Sequence, residues 1–339
     1  MQPQLESLPP HAQMMQFVSG SWAYHGLAAL ARLAVADRLK DGPRTSEDLA
    51  AEIGARPDYL YRLLRAAASL GVFSENGDGS FSNNEMSDIL RTDHVPSLRY
   101  MFISMSEEWA ARGWATMADS VLTGRTAWDR LYGMSGWEYL SQNPEPSENF
   151  NRAMSNLSTI ESPAIVRAYD FSGLGSICDV GGGHGLLLAS VLNANPRIRG
   201  ALYDLPHVVT GSRNGPLAAL EGRADILSGD MFQSVPAGFD AYMMKYIVHD
   251  WNDDGCRRLL ANCRKGVNPG GRLLVIDQVV PPGNQFAPAK IMDLLMLLFI
   301  DGLERTESQF RDLFASAGWR LTRIVATETP LCIVEGEPA

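Results

Sequence analysis

Cysteine is scarce. The 339 residues hold four, at positions 178, 256, 263 and 332, with no C-x-x-C pair among them. That excludes a zinc module of the usual spacing and suits a reduced, cytoplasmic chain. Cys256 and Cys263 read as buried packing on one helix face. Long apolar runs are also missing. The longest, Gly26–Ala36 and Met292–Ile300, fall well short of the ~20 residues that cross a bilayer. No basic stretch followed by an apolar one opens the chain, so a secretory leader is not expected. Positive charge is in deficit: 29 Lys and Arg against 39 Asp and Glu leave a net charge of -10, which disfavours a nucleic acid as the main partner. Repeats and low-complexity tracts are absent too. What remains is 45% hydrophobic and 20% charged, the composition of a globule with a sizeable core. The length suits two domains, or one with a large appendage.

Residues 1–12 read as a loose tail. Apolar residues then recur at helical spacing from Met14 to Leu39, and Gly42-Pro43 ends the run. Thr45, followed by Glu47 and Asp48, signals a capped helix start. Arg56-Pro57 opens a longer helix, and Val72–Ser74 and Ser80–Ser82 flank the turn Glu75-Asn-Gly-Asp-Gly79. Together these make a winged helix. Its second helix mixes Arg56, Arg62 and Arg65 with Tyr59, Leu60, Leu63 and Leu64. DNA contact needs a basic stripe, so dimerisation is the better reading. Three domains follow: a winged-helix dimerisation domain over 1–100, a helical connector over 101–160 that contributes to a substrate pocket, and a catalytic domain over 161–339. The connector is rich in aromatics and Met, which shape apolar cavities as well as cores. Asn143-Pro-Glu-Pro146 reads as a turn before a helix from Phe150 to Tyr169.

Beyond it, strands and helices alternate, which predicts a doubly wound α/β sheet. The first strand runs into Asp179-Val-Gly-Gly-Gly-His-Gly185, a turn whose glycines leave room for a ligand against the main chain. A dinucleotide fingerprint wants a small residue at the sixth position; counted from Gly181, that position is Leu186. Asp204 ends the second strand and suits the ribose of either NAD or S-adenosylmethionine (SAM). Asp230 ends the third strand, where it can accept an adenine amino group with Met231 against the ring. Lys245 ends the fourth and can pair with an amino-acid carboxylate, which SAM has and a nicotinamide half lacks. Asp179 suits the ligand's ammonium end or braces the turn.

His249 lies just past the fourth strand. A phenol is largely un-ionised at neutral pH, and a neutral imidazole can take its proton as general base. Such a base needs an orienting carboxylate on its other nitrogen, which Asp277 and Glu304 can supply. Met154 and Met296 can clamp an aromatic acceptor, with Asp250 on the same side.

The ordered set Asp179–Gly185, Tyr203-Asp-Leu-Pro-His207, Gly229-Asp-Met-Phe232, Met244-Lys-Tyr-Ile-Val-His-Asp-Trp251 and Glu304-Arg-Thr306 resembles the caffeate-type, metal-independent SAM-dependent O-methyltransferases, in particular their bacterial secondary-metabolism branch. The resemblance spans residues 14–336. It implies a seven-stranded Rossmann-like sheet with its last strand antiparallel, and a homodimer built through the N-terminal winged helix. It implies SAM contacts at Gly181, Asp204, Asp230, Met231 and Lys245, a further one at Ser158, and an adenine-side wall at Trp251. His249 would be the catalytic base, flanked by Asp277 and Glu304, with no metal. Asp277 is one methylene shorter than the Glu common in plant members, so its contact with His249 is direct, through water, or absent. Met154 and Met296 match the methionines that bracket the acceptor, expected to be a planar polycyclic or heteroaromatic compound. Competing readings are a metal-dependent catechol-type enzyme using Asp250, Asp253 and Asp254, a relative doing N-methylation or non-methylating chemistry, and a ligand-sensing winged-helix regulator.

Overall fold

The structure, a computed structural model, describes residues 8–212, 215–220 and 222–339; most of the N-terminal tail expected over 1–12 lies outside them. The chain divides into two compact units, one running up to Arg112 and including Leu140–Leu157, the other made of Gly113–Tyr139 and Ser158–Ala339. The segment expected as a connector, 101–160, is thus shared between them.

In the first unit, helix α1 (Pro10–Arg32) starts with a proline in its first turn, where the missing N–H costs nothing. It ends earlier than the periodicity predicts. Ala34 takes a left-handed φ of 51°, and Arg38 donates to the carbonyls of Leu33 and Ala34 at 2.9 and 3.0 Å, so the chain turns into the short helix α2 (Val35–Arg38). Helix α3 (Ser46–Ile53) carries the expected cap, Thr45 Oγ1 accepting from the Asp48 amide. Helix α4 (Pro57–Ser69) and the hairpin β1 (Ser74–Glu75) and β2 (Phe81–Ser82) complete the wing. Leu30, Leu49, Leu64, Phe73 and Phe81 fill its core. Helix α5 (Pro144–Ala168) begins six residues earlier than expected: Pro144 occupies its first turn, so Asn143-Pro-Glu-Pro146 is a helix start and not a separate turn.

The second unit is built on one mixed sheet. Strands β3 (Ser176–Val180), β4 (Arg199–Asp204), β5 (Ala224–Ser228), β6 (Phe239–Lys245), β7 (Val267–Val280), β8 (Arg305–Thr306), β9 (Trp319–Ala326) and β10 (Leu331–Pro338) are ordered β5-β4-β3-β6-β7-β10-β9, with β8 pairing β7. The strands from β5 across to β7 are parallel, and β10 is antiparallel to both its neighbours. The eighth strand, β8, is unanticipated; two residues pairing with Val279 and Val280 are too short to leave a periodic signal.

Successive residues of the central strands alternate between two cores. Ile177, Leu202, Met243 and Ile276 enter one with α6 (Leu186–Ala194). Cys178, Tyr203, Met244 and Val275 enter the other with α7 (Asp253–Gly266) and, after α8 (Pro288–Phe299), α9 (Glu307–Ser316). Both faces are covered, so these strands are apolar throughout. The order reverses direction between β3 and β6, the topological switch point at which open α/β sheets hold ligands beyond their carboxyl ends. No helix among the described residues is long and apolar enough to cross a membrane.

Candidate active site

Two segments leave adjacent strand ends at the switch point. The first follows β3. Gly181, Gly183 and Gly185 have φ of 70°, 58° and 80°, a region that disfavours any side chain. A Cβ on Gly182 would lie 2.6 Å from the Asp179 carboxyl group. The Gly183 amide donates to Asp204 Oδ2 at 2.9 Å and the Leu205 amide to Oδ1 at 2.7 Å, which fixes the carboxylate at the end of β4. Asp179 is buried and its Oδ2 has no partner. Burial pushes its carboxyl up to about 7, opposed by the Lys245 charge and reinforced by that of Asp204.

The neighbouring strand ends supply the rest of this side. Asp230 accepts from the Phe232 amide at 2.8 Å and from Gln233 Nε2 at 3.1 Å. The Met231 carbonyl accepts from Asn262 at 3.0 Å, and Trp251 meets Phe232 edge to face at 4.7 Å. Lys245 Nζ donates to Ser158 Oγ at 3.0 Å and to Glu161 Oε2 at 2.8 Å, so two residues far apart in sequence, Ser158 and Lys245, do meet. Glu161 is a functional candidate that the sequence reading missed. Its signal was an acid inside the apolar stretch Ile160–Val166.

The second segment follows β6. Tyr246 turns the chain with φ of 57°, and Val248–Asp250 form a single buried 3-10 turn. His249 Nδ1 lies 2.7 Å from Glu304 Oε1, and Nε2 lies 3.3 Å from Asp250 Oδ1. Burial pushes Asp250 up to about 7, against the pull of His249. Glu304 is also held above the usual carboxylate range, by burial and by Asp293, whose Oδ1 accepts the Glu304 amide at 2.8 Å.

Asp277, whose contact with His249 the sequence left as direct, through water or absent, makes no hydrogen bond to it. Its short side chain stops at the turn, where Oδ1 accepts the Tyr246 amide at 3.0 Å, and Oδ2 has no partner. Burial raises its pKa while the His249 charge lowers it, so the two groups act on each other through space only. Arg305, also missed, is fully buried. It donates to the carbonyls of Val248 and Trp251 at 2.9 and 3.0 Å and to Asp253 Oδ1 at 2.7 Å. It thereby locks the His249 turn to the strand that follows Glu304. Asp253, which only the competing metal-dependent reading would use as a ligand, follows the Asn252 cap in the first turn of its helix and pairs with Arg305.

Of the two methionines expected to bracket an acceptor, Met296 is buried on α8 in the second unit. Met154 belongs to the first. Beside Met296, Phe299 meets Trp114 and Trp128 at ring separations of 5.7 and 6.2 Å, and Trp128 packs at a tilt against Tyr132 and Tyr139. The aromatic richness of residues 113–139 is therefore spent on one cluster against α8.

Comparison with known proteins decides the family. Residues 114–320 match an O-methyltransferase domain and residues 15–93 an O-methyltransferase dimerisation domain. The chain belongs to the O-methyltransferase family. This O-methyltransferase is 36% identical over 334 residues to the phenazine O-methyltransferase PhzM of Lysobacter antibioticus, covering 98% of this chain and 97% of that protein. Its structure resembles that of LaPhzM with a TM-score of 0.93, at 36% identity over 98% of this chain and all of the other. It also resembles NcsB1, an O-methyltransferase from neocarzinostatin biosynthesis solved with SAM and 2-hydroxy-5-methyl naphthoic acid, with a TM-score of 0.78 at 32% identity, covering 93% and 96% of the two chains.

The methyl donor of this O-methyltransferase is SAM, and the switch-point crevice fits it. SAM is a cation with a free ammonium group, and the unpartnered, buried Oδ2 of Asp179 beside Asp204 is an acceptor that lacks a donor. Two of the three Lys245 protons are engaged, which leaves one for a carboxylate.

Proposed function

We propose that the enzyme methylates a hydroxyl of an aromatic or polycyclic small molecule, with His249 as general base. The observation that carries this reading is the buried 2.7 Å contact between His249 Nδ1 and Glu304. It fixes the ring through Nδ1, so that Nε2, 3.3 Å from Asp250 Oδ1, is the nitrogen that can meet the acceptor hydroxyl. Bound SAM supplies an electrophilic methyl group on a sulfonium. Asp204 would hold its ribose, Asp230, Met231 and Trp251 its adenine, and Lys245, Ser158 and the Gly181 turn its amino-acid end. His249 Nε2 takes the hydroxyl proton as the oxygen becomes nucleophilic, and Glu304 at Nδ1 steadies the resulting imidazolium. Asp250, whose carboxyl burial pushes up to about 7, can hydrogen-bond the acceptor beside Nε2. Asp277 supports the base through its field and through the Tyr246 amide.

Met154 and Met296 would bracket the acceptor ring. Support for its chemical class comes from the phenazine and naphthoic acid named for the relatives. Residues 1–100 would form a homodimer, 101–160 would add to the acceptor pocket, and 161–339 would carry the chemistry, in a cytoplasmic enzyme without a partner nucleic acid or metal. The test is a panel of hydroxylated naphthoates, phenazines and simple phenols incubated with methyl-labelled SAM and read by mass spectrometry. Labelled methyl on oxygen, retained in EDTA, supports the proposal. Label on nitrogen, or strict Mg²⁺ dependence, overturns it.

A further inference from the structure

Between the methyl-donor side and the base lies a chain of contacts that the reaction as described does not use. Glu161, only 5% exposed, accepts from Lys245 Nζ through Oε2 and from the Tyr246 hydroxyl through Oε1, at 2.8 and 2.6 Å. The Tyr246 ring lies parallel to the His249 imidazole, with centroids 5.0 Å apart and planes 24° apart. Lys245 Nζ sits 4.6 Å from the same ring. The Tyr246 amide is fixed too, donating to the Ile276 carbonyl at 3.1 Å and to Asp277 Oδ1 at 3.0 Å.

A left-handed φ in a bulky aromatic residue persists only where its surroundings hold it there. Here those surroundings are a buried carboxylate at one end of the side chain and Asp277 at the backbone. If Tyr246 only filled space, a phenylalanine with an ordinary φ would serve. The hydroxyl tied to Glu161 sets the ring's tilt, and the ring covers one face of the imidazole.

We propose that Tyr246, anchored by Glu161, is a positioning residue for His249, and that Glu161 couples the Lys245–Ser158 corner of the donor site to the orientation of the base. The proposal rests on His249 being the base, so the test separates the two. Three variants serve: Tyr246→Phe keeps the ring and loses the anchor; Tyr246→Asn tolerates the left-handed backbone and removes the ring; Glu161→Gln loosens both partners. The first readout is NMR of histidine-labelled enzyme without acceptor, with the His249 signals assigned through His249→Gln. The second is kcat and the KM for SAM.

Tyr246→Asn is expected to move and broaden the His249 ring signals and to lower kcat roughly tenfold, leaving the SAM KM within about twofold. Tyr246→Phe gives a smaller loss in the same direction. Glu161→Gln lowers kcat and also raises the SAM KM, and the double variant Glu161→Gln/Tyr246→Phe is no slower than Glu161→Gln, because the two substitutions cut one interaction. Unchanged His249 signals and kcat in both Tyr246 variants, with His249→Gln inactive, overturn the positioning role and spare the base. An active His249→Gln overturns the base assignment itself, and the NMR then reports separately on whether Tyr246 holds the ring. Losses in kcat and KM that merely track a lowered melting temperature also overturn the proposal.

Discussion

The turn after β3 and the turn after β6 sit on paired strands, Asp179 facing Met243 across the ladder, yet they are made differently. The first is built from backbone. Its positive-φ glycines, the Gly183 amide and the end of β4 create room and polarity within some 25 residues of chain. The second is built from side chains that arrive from four places: Glu161 from α5, Tyr246 to Asp250 after β6, Asp277 in β7 and Glu304 before β8. Both hold buried carboxyls pushed far above their ordinary range. In the first, one oxygen of the acid has no partner; in the second, Glu304 and Asp250 flank one imidazole. A cation-binding cradle needs only shape and a negative end. Moving a proton needs an ordered set of neighbours.

The comparison breaks most sharply at His249. His249→Ala is expected to lower kcat by ~10²–10⁴-fold while SAM affinity by calorimetry stays nearly unchanged; a matching loss of SAM binding would make the two turns one site in energy as well as in space. Asp204→Ala should do the converse, weakening SAM by roughly 10- to 100-fold through the loss of charge-assisted hydrogen bonds, with kcat at saturation little altered. Glu304→Gln tests the neighbours. It should lower kcat by roughly tenfold and move the acidic limb of the kcat profile to lower pH. The sign follows from Glu304 itself: burial and Asp293 hold its carboxyl above the usual carboxylate range, so the parent's limb follows that acid, and removing it lets the limb fall to lower pH. An unshifted limb would mean that Glu304 orients without sharing charge.

Asp179→Asn is read on stability in the absence of SAM, a separate scale from turnover and affinity. The native carboxyl titrates near 7 against an ordinary 3.8. The folded state therefore binds a proton that the unfolded state gives up, and stability is lost as pH rises from about 4 through 7, by at most about 4 kcal/mol. The melting-temperature gain of Asp179→Asn over the parent should grow between pH 5 and 7.5 and level off above it. A constant gain would place the unpartnered oxygen in a wetter setting than its burial indicates.

Much of the first turn was legible in the chain because its signals are local: glycines after a short apolar strand, and acids at the ends of the next two strands. His249 was legible as well, from its place just past a strand end. The choice between Asp277 and Glu304 was not, since it depends on how far a side chain reaches and on which amide claims it. Tyr246 holds Asp277, and the two-residue strand β8 delivers Glu304. Glu161 carried a weak signal and Arg305, between Glu304 and Thr306-Glu307, none, since their partners lie 84 and 52 residues away in the chain.

By itself, then, the sequence determined the alternation of strands and helices, the wing at the N-terminus, the SAM-type turn and the place of His249 just past a strand end, since periodicity, turn chemistry and strand-end residues act over a few positions. Only the tertiary structure decided which carboxylate meets the His249 ring, that Tyr246 stacks on it, and that Arg305 fastens its turn. Those contacts are fixed by strand register and burial, which bring together residues that share no local pattern.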